Sequence, residues 1–133
     1  MNEVTIKQLL EVQDRLFTIG SLLASDGSSK MKLPEIHEAD VTFLETCIDE
    51  METNLEPMKS FVLPGGHTTV SYCHIARCVC RRAERAVVDL DQHDGVAPII
   101  LTYLNRLSDY LFVLGRLLSK ELNIQETPWT PRM

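Results

Sequence analysis

The sequence predicts an all-α fold, an antiparallel helical bundle of four helices forming a single domain over residues 1–133. Three observations point there. Apolar residues recur at helical spacing in four long segments. Clusters of Gly, Pro, Ser and Asp separate those segments at Asp26-Gly27-Ser28-Ser29-Lys30 running on to Pro34, at Leu63-Pro64-Gly65-Gly66, and at Asp91-Gln92-His93-Asp94-Gly95. No stretch shows period-two alternation bounded by turns, so little or no sheet is expected. Helices joined by connections of this length pack antiparallel to their neighbours.

The first helix runs from about Val4 to Ala24. Ile6, Leu9, Leu10, Gln13, Phe17, Gly20 and Leu23 follow one stripe, and Val12, Leu16, Ile19 and Leu22 widen it, so burial on more than one side is expected. The second runs from about Glu38 to Met58. Val41, Leu44, Ile48, Met51, Leu55 and Met58 recur at steps of three and four, and Glu45, Asp49, Glu50, Glu52 and Glu56 make an acidic, solvated face. The third runs from about Thr68 to Leu90 and offers Cys73, Ala76, Val79, Cys80, Ala83, Val87 and Leu90 to the core. The fourth runs from about Val96 to Leu122, with Ile100, Tyr103, Leu104, Leu107, Leu111, Leu114, Leu117 and Leu118 on its apolar side. Pro98 fits its first turn, where no intrahelical N–H is needed. The tail from Gln125 to Pro131 cannot remain helical through its prolines.

Composition narrows the function classes. With 133 residues, 44% of them hydrophobic, the chain can bury a core and is not a disordered tail. The net charge of −6 argues against a general nucleic-acid binder. No apolar run approaches the ~20 residues that span a bilayer. The N-terminus resembles neither a signal nor a transit peptide. A soluble, cytoplasmic protein is expected. Cys47, Cys73, Cys78 and Cys80 do not form a secreted disulfide pattern. Nor do they suit zinc: on a helix Cys78 and Cys80 point about 200° apart, and Cys73 and Cys80 lie about 10 Å apart along the axis. His37, His67, His74 and His93 are scattered, none has a glutamate three residues before it, and each reads as incidental. No metal-ligating set is expected.

The third helix carries the strongest chemical signal. Arg77 to Arg85 reads Arg-Cys-Val-Cys-Arg-Arg-Ala-Glu-Arg, four arginines and one glutamate, on a chain that is otherwise acidic. Arg77, Arg81, Glu84 and Arg85 share one face. Guanidinium forks match phosphate oxygens, so this face suits a phosphate ligand; a solvated or salt-bridged surface is the plainer reading. Gly65 and Gly66 stand just ahead of a helix N-terminus, which favours an anion or serves as a plain interhelix turn. On the fourth helix Asn105 and Asp109 lie one turn apart, with Arg116 further along, and must be exposed or paired.

Three blocks together are specific. Phe61-Val62-Leu63-Pro64-Gly65-Gly66, Ala76-Arg77-Cys78-Val79-Cys80-Arg81-Arg82-Ala83-Glu84-Arg85 and Asn105-Arg106-Leu107-Ser108-Asp109-Tyr110-Leu111-Phe112 resemble the PduO-type ATP:cob(I)alamin adenosyltransferases in order and spacing. Gln13-Asp14-Arg15-Leu16-Phe17 and Glu126-Thr127-Pro128-Trp129 are also similar, so the likeness covers nearly the whole chain. The resemblance implies a five-helix, ferritin-like bundle assembled as a homotrimer with sites between subunits. It implies transfer of the 5′-deoxyadenosyl group of ATP to the cobalt of cob(I)alamin, giving adenosylcobalamin and triphosphate, with Mg2+ and ATP. Cobalt is itself the nucleophile, so the protein aligns the reactants and stabilises the leaving triphosphate. Carried over residue by residue, Arg81, Glu84 and Arg77 are catalytic. Arg81, Glu84, Arg85 and Asn105 hold ATP, with Glu84 orienting the arginines. Phe61, Asp109 and Phe112 contact cobalamin, and Phe61 excludes its lower axial base, which eases reduction of the cobalt. Arg77 matches an arginine of an intersubunit salt bridge. The Thr-Gly-Asp-rich phosphate loop and the Val-Asp-Glu-Leu-Asn helix with which such proteins begin do not occur in this sequence. The expectation is therefore an N-terminally shortened chain, without the aspartate partner of Arg77 and with apolar surface bared on its first helix. Two alternatives stand beside catalysis: a non-catalytic ATP/cobalamin-binding paralogue or inactive fragment, and a structural bundle whose arginines pair an acidic partner.

Overall fold

The computed structural model describes residues 1–25 and 33–133. Among them four helices run in the order α1 (Glu3–Ala24), α2 (Glu38–Glu52), α3 (Thr68–Asp94) and α4 (Pro98–Glu121). The only β pairing among the described residues is an isolated antiparallel bridge between Val62 and Pro128. None of these helices is long and apolar enough to cross a membrane. The predicted break at Asp26–Lys30 lies outside the described residues.

Each helix begins on a side chain or residue suited to its open N–H groups. Asn2 Oδ1 accepts from the Thr5 N–H at 2.9 Å ahead of α1. Asp40 Oδ2 accepts from the His37 N–H at 2.9 Å at α2. His67 Nδ1 accepts from the Thr69 N–H at 3.1 Å at α3. Pro98 opens α4 in its first turn, as the sequence predicts.

The spine of the bundle is α4, which packs on α3 and on α2. Tyr103, Leu104, Leu107, Tyr110, Leu114 and Leu118 of α4 are buried against Leu44 and Met51 of α2 and Val70, Cys73 and Cys80 of α3. Burying one such leucine contributes about 1.5–3 kcal/mol. Gly115 lets α3 approach α4 closely: a Cβ there would lie 3.5 Å from the Cys73 Cβ. At the start of α2, Arg15 of α1 reaches the Glu35 carbonyl and the Asp40 carboxylate, both at 3.3 Å. The Tyr110 hydroxyl donates to Gln8 Oε1 at 2.9 Å.

The elements depart from the sequence expectation in three places. α2 stops at Glu52, not Met58, because the Thr53 hydroxyl turns back onto the Glu50 carbonyl at 2.7 Å and Pro57 follows. α3 continues past Leu90 to Asp94 and stops at Gly95, whose φ of 73° suits glycine. The outer helices bury narrower stripes than predicted. On α1, Thr5, Val12, Thr18 and Ile19 are buried, whereas Ile6, Leu10, Leu16 and Phe17 face outward, Phe17 at 83% exposure. On α3, Ala76, Val79 and Ala83 are exposed beside Tyr72 and Ile75. Each outer helix is covered on one flank, so its second apolar stripe stays bare.

Candidate active site

A cavity of about 310 Å³ opens where the loop after α2 meets the facing sides of α3 and α4. The loop contributes Met58, Phe61, Val62 and Pro64, α3 contributes His74, Arg77 and Cys78, and α4 contributes Asp109 and Phe112. Phe61, Arg77, Asp109 and Phe112, separated by up to 51 positions in the chain, thus line one space. Phe61 is 68% exposed, so ordinary core packing does not account for it. The Arg77 guanidinium carbon stands 5.3 Å from the centroid of the Phe112 ring, a cation–π contact that fixes both at the cavity wall. Sharing Met58, Asp109 and Phe112, a second cavity of about 660 Å³ extends along α2 past Glu45, Asp49, Glu52 and Arg106.

Further along the α3–α4 seam lies a polar cluster. Asn105 Nδ2 donates to Glu84 Oε2 at 3.2 Å, and Arg106 Nη1 donates to Asn105 Oδ1 at 2.6 Å. Arg106 also pairs with Asp109 at 3.6 Å. The Asn105 amide is held from both sides. Glu84 engages Asn105 rather than an arginine, which departs from the expectation that it orients the arginine stripe. Among the described residues Arg81, Arg82 and Arg85 are exposed and make no ion pair. Three unneutralised guanidiniums on one helix make a strong anion-attracting surface.

The glycine loop proves to be a docking surface for the tail. Gly65 and Gly66 have φ of 140° and 97°. A Cβ on Gly66 would lie 2.8 Å from Ile124 Cγ2. The Leu63 N–H donates to the Thr127 carbonyl at 2.8 Å, and the Trp129 N–H to the Phe61 carbonyl at 2.7 Å. These pairings give the Val62–Pro128 bridge.

Sequence reasoning missed His74, read as incidental, and Met58, read as core; both line the cavity. The signal for His74 was its place one turn before Arg77. Burial lowers its pKa, Arg77 lowers it further, and Glu126 partly opposes them, so His74 is neutral near pH 7. Cys47, Cys73 and Cys80 are buried free thiols and Cys78 is an exposed one. Cys80 Sγ donates to the Leu104 carbonyl at 3.3 Å, and burial pushes its pKa up to about 11. No group of three or more His, Cys, Asp or Glu is placed to hold a metal ion among the described residues.

The family model for cobalamin adenosyltransferase matches residues 1–118. The corrinoid adenosyltransferase of Bacillus subtilis is 39% identical over 122 residues, covering 92% of this chain and 62% of its own length. The corrinoid adenosyltransferase MMAB of Mus musculus is 40% identical over 124 residues, covering 90% of this chain and 52% of its own. The chain thus spans between half and two thirds of these curated relatives. A solved structure of a variant PduO-type ATP:corrinoid adenosyltransferase from Lactobacillus reuteri, complexed with cobalamin and ATP, superposes with a TM-score of 0.90 at 30% identity, covering 98% of this chain and 75% of that one.

Proposed function

The chain belongs to the cobalamin adenosyltransferase family, and from that premise we propose that it transfers the 5′-deoxyadenosyl group of ATP to the cobalt of cob(I)alamin. The observation that carries this reading is the convergence of Phe61, Arg77, Asp109 and Phe112 on one cavity, flanked by unpaired arginines on the same helix. In the reaction cobalt supplies the electron pair of the new Co–C5′ bond. The C5′–O bond breaks, and triphosphate leaves with its pair. No protein nucleophile is needed. The chain's part is alignment and charge stabilisation.

Arg81 and Arg85 take the phosphates, and Arg81 carries the largest share of the charge that develops on the leaving group. Asn105, braced by Glu84 and Arg106, addresses the nucleoside. Phe61 and Phe112 present apolar faces to the corrin, and Phe61 blocks the lower axial position. Asp109 lines the same wall, and Arg77 is held over Phe112. Mg2+ enters this reading with the nucleotide, as MgATP, where it would help to neutralise the triphosphate.

Assembly as a homotrimer with intersubunit sites is part of the same reading. The outward stripe of α3 (Tyr72, Ile75, Val79) supports it, as apolar surface seeking a partner. Four free cysteines suit a reducing, cytoplasmic setting.

The test is anaerobic mixing of the protein with cob(I)alamin and MgATP, followed by the corrinoid spectrum. A light-sensitive alkyl-cobalt product is expected, with the rate falling about 10²-fold or more in Arg81→Ala. Corrinoid and ATP binding without product would refute catalysis and leave the non-catalytic binder. No binding of either would refute the reading outright.

A further inference from the structure

Phe61 has a job that its own surroundings do not explain. It sits on a loop, 68% exposed, without a core to fix its rotamer. A ring that must occupy one side of a flat ligand needs another support. The structure supplies that support from the C-terminal segment. The Trp129 N–H donates to the Phe61 carbonyl at 2.7 Å, and two residues on the Leu63 N–H donates to the Thr127 carbonyl at 2.8 Å. The Trp129 and Phe61 rings lie 6.2 Å apart, tilted by 53°, within the range of favourable aromatic pairs. Ile124 packs on Gly66, at the far end of the same loop. Arg116 of α4 anchors both segments: its Nη2 donates to the Glu56 carbonyl at 2.9 Å, and its Nε faces Glu126 Oε1 at 3.5 Å. Trp129 itself does not line the cavity.

We propose that Glu126–Trp129 is a strap that holds Phe61 at the mouth of the cavity, and that Trp129 is a positioning residue acting through Phe61. The proposal rests on the adenosyltransferase reading for its catalytic consequence. A tilted aromatic pair biases the Phe61 ring toward one orientation, and the two backbone hydrogen bonds fix the direction from which the ring projects. Loss of the indole leaves the rest of the cavity wall in place but frees the Phe61 ring. It acts on the lower face of the corrin and not on the nucleotide.

The experiment compares Trp129→Ala, Trp129→Phe and Phe61→Ala in the full chain. Trp129→Ala is expected to bind cob(II)alamin as the parent does and to keep its KM for ATP. It should lower both kcat and the fraction of cob(II)alamin seen without its lower base by roughly three- to tenfold. Trp129→Phe should restore most of that fraction, and Trp129→Ala should add little to Phe61→Ala. A four-coordinate fraction unchanged in Trp129→Ala overturns the proposal. So does a rise in KM for ATP that Trp129→Phe fails to rescue, which marks general damage. Trp129 is the single tryptophan, so its emission tests the contact without any corrinoid. Phe61→Ala should shift that emission, and an unshifted spectrum overturns the strap. If the parent protein neither binds nor alkylates corrinoid, the functional reading has failed, and the emission result alone decides whether the strap exists.

Discussion

Replacing Gly66 with alanine sets two costs against one gain. The first cost is conformational: Gly66 has φ of 97°, a region where an L side chain loses about 1–2 kcal/mol. The second is steric. The new Cβ would sit 2.8 Å from Ile124 Cγ2, whereas carbon atoms pack best at about 3.5–4.0 Å. The isoleucine is stiff at χ1, so tail and loop must part by roughly 0.7 Å, an overpacking cost of about 1–3 kcal/mol. Against these, a less flexible unfolded chain returns about 0.4–1 kcal/mol. The net loss is about 1–5 kcal/mol, centred near 3, a large share of the roughly 5–15 kcal/mol typical of a domain. Gly95→Ala is the internal control, because Gly95 has φ of 73° but nothing within 4 Å of its would-be Cβ. It should lose about 1 kcal/mol. Urea unfolding followed by circular dichroism reads both. With m near 1–3 kcal/mol/M, Gly66→Ala should lower the midpoint by roughly 1–2 M and by more than Gly95→Ala does. Ile124→Ala removes Cγ2, so the double variant should recover the steric part, a coupling of about 1–3 kcal/mol. Equal losses at Gly66 and Gly95 with no coupling to Ile124 would refute the packing of tail on loop.

Three further outcomes follow from the same geometry. Tyr103 and Tyr110 are both fully buried, but the Tyr103 hydroxyl has no hydrogen-bond partner among the described residues, while that of Tyr110 donates to Gln8. Tyr103→Phe should therefore be neutral or stabilising by about 1 kcal/mol and Tyr110→Phe destabilising by about 1 kcal/mol in urea titrations, and like signs would contradict the assignment. His74 has a pKa lowered below 6.5 by burial first and Arg77 second, so its unfolded form binds the proton more readily. Its contribution is complete above 6.5 and is lost as the pH falls toward the folded value; melting temperatures of His74→Gln should fall less steeply than the parent's below pH 6.5. Cys78 is exposed at the cavity while the other three cysteines are buried, so native protein should react with one equivalent of a thiol reagent and unfolded protein with four. Bound corrinoid should protect that single thiol, and unprotected labelling would separate Cys78 from the ligand.

The four helices were legible because their apolar periods and their Gly, Pro and Asp breaks agree. The resemblance singles out the Phe61, Arg77 and Asn105 blocks, and of their residues Phe61, Arg77, Asp109 and Phe112 line one cavity while Arg81, Glu84, Arg85 and Asn105 do not. Burial on the outer helices was not legible. Leu10 and Phe17 share helical spacing with Val12 and Ile19, and periodicity does not say which of two stripes meets α4. Val79 was misread for the same reason. The early end of α2 turned on a threonine hydroxyl taking a backbone acceptor, a local competition that the 3–4 pattern through Met58 hid. The partner of the glycine loop was invisible as well. An anion and a plain turn both fit Gly65-Gly66 ahead of a helix, and the closeness of Ile124 is a fact of tertiary packing.

Gly115 acts as a gauge block for the candidate site. It lies at a close approach of α3 and α4, on the same helix as Phe112 and opposite Cys73 and His74. Arg77 over Phe112, and Glu84 on Asn105, both bridge the gap that this contact sets. An alanine at Gly115 meets Cys73 at an ordinary contact distance, whereas valine or leucine would act as a shim and spread the two helices. On the proposed function, the width of the cavity can thus be retuned from a residue that does not line it, and a sequence drifting at this one position would trade fit for one ligand size against fit for another while every cavity-lining side chain stayed the same.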